Sequence, residues 1–138
     1  RHLARHDAVL ATGRVPHEDV EAYYSLIDVC PFPRKPWEVC EMVSPLKPFE
    51  AMAMEKAIVV SSTHALREIV RDGYNGLVFD KGSSESLAAA LERLLKDRAL
   101  RSELAKTGRI WTLEHRTWKS GGNVVAAGGG NIPLYKAP

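Results

Sequence analysis

The chain has 138 residues, 45% hydrophobic and 26% charged, the signature of one soluble globular domain of common size. Nineteen basic against seventeen acidic residues leave a formal charge of +2, too weak a bias for a nucleic-acid partner or an anionic membrane surface. No apolar run approaches the ~20 residues needed to span a bilayer, and no stretch reads as a signal peptide. Cys30 and Cys40 lack the spacing of a zinc site and read as reduced structural thiols in a cytosolic setting.

The chain opens on Arg1, in what reads as a helix end over residues 1–6, which points to a fragment of something longer. Residues 8–12 (AVLAT), closed by Gly13, read as a buried strand. Pro16 and the acidic residues after it begin a helix that sets Val20, Tyr23, Tyr24 and Ile27 on one side. Residues 28–32 (DVCPF) are the next strand, ended by Pro31 and Pro33. Residues 33–43 show no period and read as a loop.

That loop leads into SPLKPFEAMAMEKAIVVSS, residues 44–62. Ser44 is a good N-cap and Pro45 suits the first helical position. Lys47 then falls in the first turn, where the positive helix end disfavours a cation by ~0.3–1 kcal/mol. A lysine added to free backbone N–H groups makes a place for an anion, and Glu50 projects from the same side three residues on. A nucleotide diphosphate whose ribose reaches Glu50 fits this pattern. So does a buried helix carrying ordinary surface charges.

The helix yields to AIVVSS (57–62), a strong buried-strand signal. Ser62 or Thr63 caps a helix through Ala65, Leu66, Ile69 and Val70, and DGYNG (72–76) is a turn. LVFD (77–80) is the last strand. After the KGSS cap, Leu87, Leu91, Leu94 and Leu95 form an amphipathic stripe, read as core. A second helix carries Leu100 and Leu104 and ends at Thr107–Gly108, with a further helical stretch over 110–118. Residues 119–138 are rich in Gly and small residues and read as a flexible tail, leaving 1–118 as the domain.

Short apolar strands alternating with helices mean an α/β, Rossmann-like parallel sheet with helices on both faces. Ligands in such folds sit beyond the carboxyl ends of the strands, which is where the Ser44 turn falls.

TGRVPHEDVEAYYSLIDVCPFP, SPLKPFEAMAMEKAIVVSS, LREIVRDGYNGLVF and EHRTW, in this order, together resemble the C-terminal domain of family 4 glycosyltransferases. These are retaining enzymes of the two-domain GT-B architecture. The resemblance implies a domain that binds a nucleotide-sugar donor, with UDP, GDP or ADP as the nucleotide, and needs no cofactor and no metal. By position, Glu50 matches the glutamate that hydrogen-bonds the ribose. The backbone around Ser44, Pro45, Leu46 and Lys47 matches the helix start that holds the distal phosphate, and Lys47 adds charge for the departing diphosphate. Gly13 and Arg14 match the segment beside the nucleobase, with Pro31 and Phe32 on the neighbouring strand end. The common family pattern puts a second glutamate where Met42 stands. Glu41, one position earlier, fits a sub-pattern E-x-V-[ST]-P-L-K-P-F-E and is implied to contact the donor sugar. Glu55 stands where the family usually has glycine.

The resemblance further implies that the first strand–helix units of this domain and the whole N-terminal acceptor domain lie before Arg1, so the domain is incomplete and the fragment alone inactive. It implies polysaccharide or glycolipid biosynthesis in the cytoplasm, with access to the inner face of the membrane through the missing domain. Two rival readings stay open at this point. One is a non-catalytic Rossmann-like domain that binds a nucleotide or docks a partner; the other is a related GT-B enzyme such as a sugar-nucleotide epimerase.

Overall fold

Three short apolar runs build the sheet: β1 (Val29–Phe32), β2 (Ala57–Ser61) and β3 (Leu77–Phe79). They pair in parallel in the order β1-β2-β3, with Val29 opposite Ala57 and Ser61 opposite Phe79. A computed structural model describes residues 7–43, 45–115, 119–120 and 123–124. The helix end expected over 1–6 lies outside them.

The central strand explains the two-faced core. All five residues of β2 are buried, and its alternation sends Ile58 and Val60 to one face and Ala57 and Val59 to the other. On the first face they pack with Cys30, Met52, Leu66, Ile69 and Val70. On the second they pack with Leu77, Phe79, Leu94 and Leu104. The sheet is therefore covered on both sides, as the alternation of strands and helices implies.

The expected strand at 8–12 is not formed. Residues 7–14 are exposed, Leu10 at 88%, and among the described residues β1 pairs with β2 alone. An apolar run becomes a strand only when a ladder partner satisfies its backbone. A 3-10 turn (His17–Asp19) then leads into α1 (Val20–Ser25), which lays Tyr24 and the following Ile27 on the core, while Tyr23, set on the same side by its spacing, stays 41% exposed.

The 33–43 stretch is not wholly loop, since α2 (Glu38–Met42) lies within it. Five residues are too few to show a period. Next, α3 (Lys47–Ala53) starts two residues later than Pro45 suggested, and Pro48 rather than Pro45 occupies its first turn. Ser44, the expected cap, lies outside the described residues. The C-terminal end of α3 closes on Glu55 at φ +56, with Glu55 N–H donating to Met52 C=O (3.0 Å) and Lys56 N–H to Ala51 C=O (2.9 Å). This is a Schellman closure with a glutamate where glycine is favoured. Glu55→Gly is expected to raise stability by about 1 kcal/mol, read as a higher urea midpoint at unchanged m-value. An unchanged or lower midpoint would refute the strain assigned to this position.

The short α4 (His64–Arg67) precedes β3, and α5 (Ser84–Lys96) follows it, with Ser83 Oγ accepting the Ser86 N–H at 3.1 Å. Leu94 is fully buried and Leu87 and Leu91 pack beside it, but Leu95 is 62% exposed, at the edge of the stripe rather than in the core. The last described helix, α6 (Arg98–His115), runs unbroken through Gly108, which was expected to end it. Gly108 serves packing instead. A Cβ there would stand 3.1 Å from the Asn75 carbonyl oxygen and 3.5 Å from Met52 Cε. Trp111 of α6 stacks on Phe49 of α3 (6.4 Å) and on His115 (4.9 Å). Beyond it, β4 (Lys119–Ser120) and β5 (Asn123–Val124) pair antiparallel. The flexible tail expected over 119–138 otherwise falls outside the described residues, as do residues 116–118.

Candidate functional site

The carboxyl ends of β1, β2 and β3 gather the polar groups. Where β1 ends, Arg34 N–H donates to Oγ of the buried Ser61 (3.1 Å), and Arg34 Nη1 donates to the Val43 carbonyl (2.8 Å). The second bond closes the excursion that carries α2 and returns the chain towards α3. Beyond β2 and β3, Lys81 N–H donates to Ser62 Oγ at 3.0 Å, joining the two strand ends.

Glu41, on α2, reaches across this edge. Its Oε2 accepts the His64 backbone N–H (2.8 Å), and its Oε1 is ion-paired with Lys81 Nζ. Thr63 holds the N-cap position of α4 but makes no capping bond through its hydroxyl, so the cap comes from Glu41, 23 residues away from His64. The Lys81 ammonium first, and then the His64 N–H, hold the Glu41 carboxyl below the usual carboxylate range. A group depressed in this way contributes stability above its ordinary range and loses it as pH falls through its folded value. The two Glu41 contacts of α2 are thus at full strength at neutral pH and weaken in acid.

Glu50 differs. It sits half-buried in the first turn of α3, and its carboxylate has no hydrogen bond or ion pair with a described residue. Its charge is felt by Tyr24, whose phenol is pushed up to about 12 by burial first and then by Cys30 and Glu50. A half-buried carboxylate whose lone pairs have no partner among the described residues is suited to accept from a ligand's donors.

Lys47 opens α3, exposed and unpaired among the described residues. Because Pro48 lacks an N–H and Phe49 N–H already donates to the Leu46 carbonyl (3.1 Å), the backbone donors here without a partner among the described residues are those of Leu46 and Lys47. Pro45 lies just ahead, half-buried. Gly13, at φ +69 with open space around it, and the exposed Arg14 lie on the irregular segment before α1. Arg14 borders a shallow depression with Val15, Pro16, His17 and Val20. Neither residue shares a hydrogen bond with the α2–α3 groups among the described residues. Pro31 and Phe32 end β1, opposite Val59 and Val60.

Sequence reasoning singled out Glu41 and Glu50 but not Lys81, Arg34 or Ser61. Their partners lie 40, 9 and 27 residues away, and no local spacing announces such a pairing. A second depression, lined by Asp28, Glu55, Lys56, Arg98 and Arg101 among others, lies at the amino ends of β1 and β2, opposite the end where such sheets bind ligands. Among the described residues no three His, Cys, Asp or Glu side chains converge to hold a cation. No described helix is long and apolar enough to cross a membrane.

Residues 1–97 match the model of the family described as glycosyl transferases group 1. The chain is 28% identical over 100 residues to alpha-D-kanosaminyltransferase of Streptomyces kanamyceticus, covering 72% of this chain and 25% of that protein. Sucrose-phosphate synthase of Thermosynechococcus elongatus superposes with a TM-score of 0.64 at 30% identity, over 75% of this chain and 25% of that one. HepE of Anabaena, solved in complex with UDP-glucose, superposes with a TM-score of 0.61 at 20% identity, over 67% of this chain and 24% of that one; at that identity the likeness shows the fold. The chain spans about a quarter of the length of these proteins.

Proposed function

This chain belongs to the glycosyl transferases group 1 family, and from that membership and the Glu50 carboxylate, which has no partner among the described residues, we propose that it is the nucleotide-sugar-binding part of a retaining GT-B glycosyltransferase of family 4. The observation that carries the reading is the contrast between two acidic residues at one edge of the sheet. Glu41 is held by Lys81 and His64, whereas the carboxylate of Glu50, in the first turn of α3, meets no donor among the described residues. The vicinal hydroxyls of a ribose supply two donors suited to it.

In this reading the nucleoside diphosphate lies across the carboxyl ends of the strands, with its ribose on Glu50 and its distal phosphate at Leu46 and Lys47. The departing diphosphate gathers negative charge as the glycosidic bond to it breaks. Lys47 and the backbone donors beside it are in place to receive that charge, so the chemistry has no need of a metal ion. Glu41 orients the sugar, and Gly13 and Arg14 flank the base. The acceptor is bound by another domain of the same enzyme, which acts in the cytoplasm, at the inner face of the membrane where the acceptor is a lipid. UDP-glucose in the HepE structure makes a UDP-sugar the first donor to test.

The test is calorimetric titration of the chain with UDP, GDP and ADP, and with the matching monophosphates. Saturable binding of one diphosphate, tighter than its monophosphate, is expected. Binding of none, or equal binding with and without the second phosphate, would overturn the proposed site.

A further inference from the structure

We propose that Lys81 is a positioning residue for the donor sugar, acting through Glu41. The inference rests on the donor-site reading above and adds to it a residue outside the 41–50 stretch. It begins from how weakly α2 is otherwise attached. None of its residues is buried, and Trp37, Val39, Met42 and Val43 on and beside it are 52–72% exposed. Packing of an apolar face, which stabilises most protein helices, is missing here. The described side-chain polar contacts of α2 and the adjoining Val43 are Arg34 to Val43 C=O, His64 N–H to Glu41 and Lys81 to Glu41.

Two of these three converge on one carboxylate, one on each oxygen. An ionised carboxyl has about four lone-pair sites, so roughly two remain for hydroxyls of a ligand. The same pairing that orders Glu41 therefore leaves it able to accept from a sugar. The Lys81 backbone is itself fixed, since its N–H donates to Ser62 Oγ at the end of β2. Its ammonium is thus presented from the sheet edge rather than from a free loop. The side chains of Glu41 and Lys81 are 25% and 40% exposed, so a ligand can approach the pair without unfolding anything. Among the described residues no titratable group other than Lys81 and His64 acts on the Glu41 carboxyl, and His64 is in turn paired with Glu68 at 3.2 Å.

Two readouts on wild type, Lys81→Met, Lys81→Arg and Glu41→Gln test this. In the first, the Glu41 carboxyl carbon is titrated by NMR, its signal assigned from its loss in Glu41→Gln. Its midpoint is expected below the ordinary glutamate range in wild type, higher in Lys81→Met, where the His64 N–H alone still holds it down, and low again in Lys81→Arg. In the second, affinities for UDP and UDP-glucose, and for GDP and GDP-mannose, are measured at neutral pH. The ratio of sugar-nucleotide to nucleotide affinity is expected to fall at least about threefold in Lys81→Met and Glu41→Gln and to recover in Lys81→Arg, a change of about 0.7 kcal/mol. A midpoint unmoved by Lys81→Met overturns the proposal. So does nucleotide binding with an unchanged ratio, which marks Lys81 as merely structural, or a ratio that rises, which marks it as a competitor of the sugar. Binding of neither nucleotide nor sugar nucleotide by wild type overturns the donor-site reading and this role with it, a result distinct from an unchanged ratio.

Discussion

Glu50→Ala is expected to weaken binding of the preferred nucleoside diphosphate by ten- to a hundredfold. Hydrogen bonds to a charged group contribute about 1.5–3 kcal/mol, and each 1.4 kcal/mol is about tenfold in affinity. Glu50 is suited to such bonds because folding has already half-buried it without giving it a described partner. Its position is also stiffly held. Ala51, Met52 and Ala53 beside it are buried, and Phe49 stacks on Trp111. The alanine variant removes the acceptor without disturbing those contacts, and Glu50→Gln, which keeps one oxygen but loses the charge, should fall between the two. A 2′,3′-dideoxy nucleotide is the sharper control, since it has no ribose hydroxyls to lose. Its binding should be nearly insensitive to Glu50→Ala, so the alanine effect and the dideoxy effect should not add. Full additivity, or an equal loss for the dideoxy ligand, would show that Glu50 acts on the fold or on the phosphates rather than on the ribose.

What could be read from the sequence divides along physical lines. Features written in local pattern were legible: the buried run at Ala57–Ser61, the leucine stripe of α5 apart from Leu95, and the Glu50 turn at the end of a strand excursion. Features that depend on a distant partner were not. Residues 8–12 have the composition of a strand but no described strand to pair with, and Gly108 looks like a helix stop until Asn75 is brought against it. The candidate site shows the same division. Local spacing selected Glu50 and the family sub-pattern selected Glu41, yet neither could distinguish the carboxylate engaged by described residues from the one without a described partner. That distinction is made by Lys81 and His64, which join Glu41 only when the ends of β2 and β3 lie side by side. Glu55 is the reverse case, a departure from the family pattern visible in sequence whose consequence, a non-glycine residue at φ +56, is purely conformational.

The turn at residues 72–76 carries the largest expected effect on stability. It was read as a glycine-bounded turn, but its weight falls on Asn75, which is 2% exposed. The Asn75 amide donates to the Ile69 carbonyl (3.0 Å), and its oxygen accepts the Arg71 N–H (2.8 Å). One side chain thus pairs two backbone groups of the α4–β3 connection, beside the buried Ile69 and Val70. Asn75→Ala leaves the buried Ile69 carbonyl unpaired, at about 1–3 kcal/mol, leaves the part-buried Arg71 N–H without its acceptor, and removes the volume of a fully buried side chain. A loss of about 3 kcal/mol is expected, which lowers the melting temperature by about 10 °C. Asn75→Asp keeps the acceptor for Arg71 but loses the donor for Ile69 and adds a buried charge, so it should not rescue. A shift of less than about 2 °C in either variant would show that water replaces the amide and that the turn is not a structural anchor. The consequence reaches the site, because β3 leads from this turn directly to Asp80 and Lys81. Loosening the connection frees the end of β3, and the Glu41–Lys81 pair is expected to weaken in Asn75→Ala before the sheet unfolds. That order of events is visible as a rise in the Glu41 midpoint at temperatures where the far-UV circular dichroism is still native.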